Sequence, residues 1–199
     1  MIGPDVVNTT MRLSQTAYPP RSHPIVKRIE ERALSFQGYD SRHRLEPIQI
    51  VQYPVDGHYN EHTDWFPDEE PLRDLITPSK GGNRESSFFV YLHANSTGGG
   101  TAFPELSRPA VKFWCDYIEC EEENYPNGSD NVKAGTGVIF KPIAGNAVFW
   151  KNLHPDGQGH RSTRHAGQPV TSGSKTGLNI WTRQMNIARY KPPTTASGS

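Results

Sequence analysis

The spacing of hydrophobic positions changes several times along the chain, and the changes mark the elements. Residues 1–22 are polar and proline-broken, with at most a short strand around Met11 to Leu13. Pro24 suits a first helical turn, and Ile25, Ile29 and Leu34 recur at helical spacing. A helix is therefore expected from His23-Pro24 to a stop at Gly38. From Glu46 the period drops to two: EPIQIVQY (46–53) reads as a strand and VDGHYN supplies a turn. SSFFVYLHA (86–94) predicts a buried strand ended by STGGG, and GTAFPEL (100–106) a shorter strand with proline at its end. GTGVIFKPIAGNAVFWKNL predicts two strands around Pro142 and Gly145. RHAGQPV and KTGLNIWTRQM predict a final hairpin across TSGS, 165–170 pairing with 175–184.

Three irregular stretches separate these elements. Residues 67–83 hold three prolines and a glycine pair and are expected to form a mobile surface loop over the substrate. Residues 107–134 carry both cysteines and the acids Glu119, Glu121, Glu122 and Glu123, which read as a solvated loop. NLHPDGQGHRST is the third. Short strands, frequent turn signals and no βαβ alternation predict a mainly β (α+β) fold. The expected form is a double-stranded β-helix, or jelly roll, with supporting N-terminal helices. A single domain is expected over 1–190, with 191–199 a disordered tail.

Composition adds exclusions. Lys and Arg total 21 and Asp and Glu total 21, so no charge bias points to nucleic acid or an anionic membrane. No apolar run approaches the roughly 20 residues of a membrane span. Met1-Ile-Gly-Pro lacks the basic start and apolar centre of a signal peptide. Sequons at Asn8, Asn95 and Asn127 lean towards the secretory route, so the compartment, secretory, extracellular or cytoplasmic, stays open, as does the oligomeric state. Cys115 and Cys120 could close a small loop or stay reduced and buried.

The chemistry concentrates in YPVDGHYNEHTDWF (53–66) and RHAGQPVTSGSKTGLNIW (164–181). His62 and Asp64 are two residues apart, so on an extended backbone both side chains leave one face. His165 follows much later, and Lys175 ten residues after it. Two histidines and one carboxylate fill half of an octahedral metal and leave the other half open, the arrangement of non-haem Fe(II) oxygenases. A divalent ion there keeps net charge and open positions for a 2-oxo acid and O2, and Lys175 is the candidate cation for the far carboxylate. Across the expected hairpin, Lys175 would stand roughly 16 Å from His165 along the strand, a span for an extended lysine plus a five-carbon diacid. Lys175, Gly177, Asn179 and Trp181 share a face, and Leu178 and Ile180 take the other. The plainer alternatives are a hydrogen-bonded core cluster for His62, Asp64 and His165, a surface lysine for Lys175, and core aromatics for Tyr53 and Trp181. His23, His43, His58, His93, His154 and His160 read as solvent-facing or hydrogen-bonding residues.

On LEPIQIVQY, YPVDGHYNEHTDWF, GGGTAFP, KPIAGNAVFW, HAGQPVTSGSK and LNIW, in this order, the chain resembles the catalytic domain of the prolyl 4-hydroxylase family. These are Fe(II)- and 2-oxoglutarate-dependent oxygenases, and the form is similar to fungal members from about Arg12 to Gln184. The resemblance implies His62, Asp64 and His165 as iron ligands, Lys175 as partner of the 2-oxoglutarate C5 carboxylate, and Tyr53 and Thr101 in the co-substrate pocket. Glu46, Tyr59, Arg84 and Trp181 match positions facing a proline-containing peptide or protein, with Trp181 and Tyr59 gripping the proline ring. It also implies hydroxylation with O2 consumed, succinate and CO2 released, and ascorbate as reductant. Two positions depart from the family pattern: His160 stands where an Asp is usual and Thr176 where an aromatic is usual. Both bear on substrate preference. The alternatives carried forward are the same chemistry on free proline, another amino acid or a small metabolite, and a non-catalytic jelly-roll binding module. A zinc hydrolase fits less well, since no general base accompanies the motif.

Overall fold

The computed structural model describes residues 5–120 and 136–187. Glu121, Glu122 and Glu123, Asn127 and the expected tail at 191–199 lie outside them. The elements run β1 (Asp5–Asn8), β2 (Arg12–Ala17), α1 (Pro24–Gln37), β3 (Gln49–Tyr53), β4 (His58–His62), β5 (Arg84–Gly98), β6 (Thr101–Ser107), β7 (Thr136–Phe140), β8 (Ala147–Lys151), β9 (His165–Gly167) and β10 (Val170–Arg183). Their order is β7-β6-β9-β4-β2-β3-β10-β5-β8, all pairs antiparallel, with β1 on β2.

Registers reveal how this becomes a jelly roll. Gly98 pairs with Val170 and, across the next corner, Thr101 pairs with Gly167. β5–β6 and β9–β10 are thus two long strands, each bent once, at Gly99-Gly100 and at Gln168-Pro169. β3–β4 bends likewise at 54–57 and β7–β8 at 141–146. One half of each long strand lies in the wall β3-β10-β5-β8, the other in the wall β4-β9-β6-β7. β2 joins the walls, pairing with β3 through Gln15, Thr16 and Ala17 and with β4 through Arg12 and Leu13. Gly99 sits at its corner with φ +76°, a conformation costly for residues bearing a Cβ.

Alternation sorts the side chains into two cores. Ile48, Phe88, Leu178 and Ile180 pack outward against Val26, Ala33 and Leu34 of α1. Val51, Tyr53, Phe89, Tyr91, Phe103, Val148 and Trp150 fill the space between the walls.

Several expectations are corrected here. The final hairpin does not form: TSGS lies inside β10, with a bulge between Val170 and Ser172, and β9 pairs with β4 and β6 instead. Serine and glycine suit a bulged strand as well as a turn. The separation of His165 from Lys175 therefore spans a corner rather than a hairpin. β5 continues through Asn95-Ser96-Thr97-Gly98, Pro104 lies within β6, and β2 is a full strand joining the walls. Among the described residues α1 is the one α-helix; the others are short 3-10 turns. The stretch 67–83 includes two such turns, and Arg183 Nη1 donates to its Leu75 and Gly82 carbonyls at 2.9 and 2.6 Å. Cys115 and Cys120 form a disulfide.

Helix α1 begins at Pro24, capped by His23, and ends at Gly38, as its sequence predicts. Its buried face differs: Ile25 is exposed, and Val26, Glu30, Ala33 and Leu34 face inward. A charge on the buried face shifts the apparent apolar stripe. Glu30 is fully buried because Arg21 Nε donates to it at 2.8 Å and Arg42 Nε at 2.6 Å. The two guanidiniums also donate to main-chain oxygens of Leu45, Arg42 and Arg21, tying the helix to the chain before β3. Glu30→Ala is expected to cost about 2–3 kcal/mol, at or below the low end for breaking a buried pair because both arginines keep solvent contact. Urea unfolding checks it, and a loss below about 1 kcal/mol would contradict this role.

Candidate metal centre and cavity

His62 closes β4, His165 opens β9, and the two are direct cross-strand partners. Asp64 follows β4 after one residue. One donor atom from each lies within 4.8 Å of the others. His62 Nε2 is 3.9 Å from Asp64 Oδ1, and His165 Nε2 is 4.0 Å from Asp64 Oδ2.

The second nitrogen of each ring decides what the first can do. His62 Nδ1 is 2.8 Å from the Asn60 carbonyl and His165 Nδ1 2.8 Å from that of Thr163. A carbonyl only accepts, so each Nδ1 carries a hydrogen, and Nε2 is the ring nitrogen left available to a metal. Burial, then the neighbouring His165, lowers His62 to about 4, so it is neutral near pH 7. Tyr59 stacks on His62 at 3.7 Å, and Phe103 stacks on His165 at 5.3 Å. Burial alone would raise the Asp64 carboxyl, but His165, Arg84, His62 and the Ser87 hydroxyl together hold it below the usual range. Two imidazoles and a carboxylate converging from one side can hold a divalent first-row metal such as Fe(II) with positions left open.

The same cavity reaches Lys175 on the other wall; Tyr53, Tyr59, Thr101 and Trp181 also line it. Lys175 is 1% exposed. Its Nζ donates to the Gly99 carbonyl at 2.5 Å and lies 4.6 Å from the Tyr53 ring centre. Among the described residues no carboxylate pairs with it, and burial lowers its pKa to about 7. Tyr53 is pushed up to about 12, again by burial. Thr101 and Tyr91 hydroxyls meet at 2.7 Å. The cavity therefore has three candidate metal donors at one end and a buried lysine at the other.

The expected substrate-facing residues divide. Tyr59 and Trp181 line the cavity; Glu46 and Arg84 stand behind it. Arg84 donates to both Glu46 carboxylate oxygens at 2.7 and 2.9 Å, and its guanidinium lies 3.9 Å over the Trp181 ring. Its Nη1 is 3.9 Å from Asp64 Oδ1. The indole N–H groups of Trp150 and Trp181 are buried without acceptors among the described residues, so a ligand's oxygens can supply them.

Sequence reasoning passed over Ser87, Phe89 and Trp150. Phe89 and Trp150 line the cavity, and Ser87 Oγ donates to Asp64 Oδ2 at 2.6 Å. The signal was the period of two in SSFFVYLHA, which puts Ser87, Phe89 and Tyr91 on one face. Among the described residues none of the six other histidines joins the metal-type cluster.

Comparison with known proteins identifies the family and the fold. Residues 48–183 match the family model of the 2OG-Fe(II) oxygenase superfamily. The chain is 32% identical over 174 residues to the prolyl 4-hydroxylase subunit alpha-1 of Gallus gallus, covering 87% of this chain and 27% of that one. It is 30% identical to the Homo sapiens subunit, over 97% of this chain and 30% of the relative. The chain thus spans under a third of the length of these relatives. The fold is similar to the viral collagen prolyl hydroxylase of Paramecium bursaria Chlorella virus-1, solved with 2OG. That match has a TM-score of 0.56 and 21% identity, over 87% of this chain and 80% of the other. The jelly-roll reading and the resemblance read from the motifs are borne out.

Gly177 lies against Phe89, and a Cβ there would fall 2.2 Å from the ring. Gly177→Ala is expected to push Phe89 off its seat in the cavity wall and to cost about 1–3 kcal/mol, the usual range for overpacking. Urea unfolding measures the loss, and unchanged stability would contradict the close approach.

Proposed function

Because the chain belongs to the 2OG-Fe(II) oxygenase superfamily, we propose that it hydroxylates prolyl residues in peptides, using Fe(II), 2-oxoglutarate and O2. The observation that carries the reading is the two-ended cavity: three candidate metal donors at one end and, at the other, a buried lysine with no carboxylate partner among the described residues. The relatives' names favour proline as the substrate.

In this reading His62, Asp64 and His165 hold the ion through Nε2, a carboxylate oxygen and Nε2. The chemistry supplied by Fe(II) is activation of O2 coupled to oxidative decarboxylation of 2-oxoglutarate to succinate and CO2. Lys175 binds the co-substrate's far carboxylate, which neutralises an ammonium held in an apolar, water-poor site. Tyr53 and Thr101 flank that carboxylate. Tyr59 and Trp181 present flat apolar surfaces to a proline ring, and Glu46 and Arg84 fix the Trp181 face. Phe89, Phe103 and Trp150 exclude water around the reacting groups. Ascorbate would serve as the reductant that supports turnover.

The test is incubation with Fe(II), 2-oxoglutarate, ascorbate and either a polyproline peptide or free L-proline. Succinate formation and a mass gain of one oxygen are expected with the peptide. Turnover on free proline alone moves the substrate to amino acids, and no turnover on any substrate tried favours a binding module.

The lysine's role has its own pH signature. The ammonium form binds the dianion, and in the ligand-free protein that form is lost as pH rises through about 7. With Mn(II) in place of Fe(II), 2-oxoglutarate affinity is expected to fall about tenfold for each pH unit above about 7, until the liganded lysine itself deprotonates. Lys175→Arg, which stays charged, flattens the profile. Isothermal titration across this range measures it, and a flat wild-type profile would contradict the assignment.

A further inference from the structure

Asp64 and His165 come from segments far apart in sequence, yet one residue is hydrogen-bonded towards both. Asn152, the residue after β8, is fully buried, and so is Ser87 on the neighbouring β5. Asn152 Nδ2 donates to Ser87 Oγ at 2.9 Å, and Ser87 Oγ donates to Asp64 Oδ2 at 2.6 Å. The direction of this relay follows from counting hydrogens. A metal-binding carboxylate only accepts, and a serine hydroxyl has one hydrogen. With that hydrogen on Asp64, the only group that can satisfy the remaining side of Oγ is a donor, which the amide of Asn152 supplies. The Asn152 Oδ1 atom has no partner among the described residues, so the amide orientation serves the relay and not its own oxygen.

The main chain of the same residue leads to the other ligand. Asn152 N donates to the Glu85 carbonyl at 2.8 Å, and the Asn152 carbonyl accepts from His160 N at 2.7 Å. The His160 carbonyl accepts from Thr163 N at 3.0 Å and Thr163 Oγ1 at 2.6 Å. The Thr163 carbonyl is the group that faces His165 Nδ1. Asp64 orientation and His165 tautomer therefore share one anchor.

We propose that Ser87 and Asn152 are positioning residues for the metal. Ser87 orients the Asp64 carboxylate, and the Asn152 side chain acts through the Ser87 hydroxyl. The inference rests on the iron-site reading above. Its measure is metal affinity, independent of turnover: free Mn(II) is counted by electron paramagnetic resonance during titration of the folded, metal-free protein.

Ser87→Ala is expected to weaken Mn(II) binding about 10- to 100-fold, the range for losing a partner of a metal ligand. Ser87→Thr, which keeps a hydroxyl, is expected to bind more tightly than Ser87→Ala. Asn152→Ala is expected to weaken binding alone but to add little to Ser87→Ala, because its side chain acts through that hydroxyl. A merely structural role predicts additive losses and no rescue. Ser87→Ala binding Mn(II) as tightly as wild type overturns the proposal, and so do additive losses in the double variant. If Ser87→Ala does not fold, Asn152→Ala with wild-type affinity overturns it equally. Wild-type protein that takes up no Mn(II) contradicts the iron reading itself, and the inference falls with it.

Discussion

A β-strand long enough to cross this domain cannot stay in one flat wall, and the chain bends four such strands at corners made by 54–57, Gly99-Gly100, 141–146 and Gln168-Pro169. Bending turns neighbours in sequence into groups facing one another across a cavity. His165 and Lys175 are ten residues apart on one bent strand, and the Gln168-Pro169 corner assigns them to opposite walls. His62 and Tyr53 are divided in the same way by the corner at 54–57. The paired registers on either side of the corners hold this arrangement, and α1 clamps the outer face of one wall through the buried Glu30.

Within that frame the electrostatics are complementary. Asp64 is 5% exposed, receives a hydroxyl hydrogen from Ser87, and has Arg84 close by. Its charge is compensated inside the protein. Lys175, by contrast, is sealed in with a carbonyl and two aromatic rings, and burial lowers its pKa to about 7. An isolated buried ammonium is unfavourable, so this end of the cavity favours an anionic ligand. Arg84 contributes on a third side, bound to Glu46 and lying over Trp181, so a charge pair stiffens an aromatic wall.

Much of this was legible in the residues. Period-two runs gave β3, β5 and β8, and Pro24 with Gly38 bounded α1. The spacing of His62, Asp64, His165 and Lys175 named the residues that meet at the cavity. Corners were illegible as corners, because glycine and proline serve a bend between walls and a hairpin turn alike. Only long-range pairing tells them apart, which is why TSGS reads as a turn yet lies inside β10. Ile25 falls on the apolar stripe yet is exposed, because such a stripe is blind to a buried Glu30. Ser87 and Asn152 were invisible for a similar reason: a small polar residue in an apolar run acquires meaning from its partner, and that partner is remote in sequence.

The central claim is that one cavity holds a metal at its histidine end and a diacid's far carboxylate at its lysine end. Anomalous diffraction from crystals grown with Mn(II) and 2-oxoglutarate tests it most directly. A single strong peak bounded by His62 Nε2, Asp64 and His165 Nε2 is predicted, with the distal carboxylate at Lys175 Nζ. A peak elsewhere, or a diacid that leaves Lys175 unpaired, would contradict it.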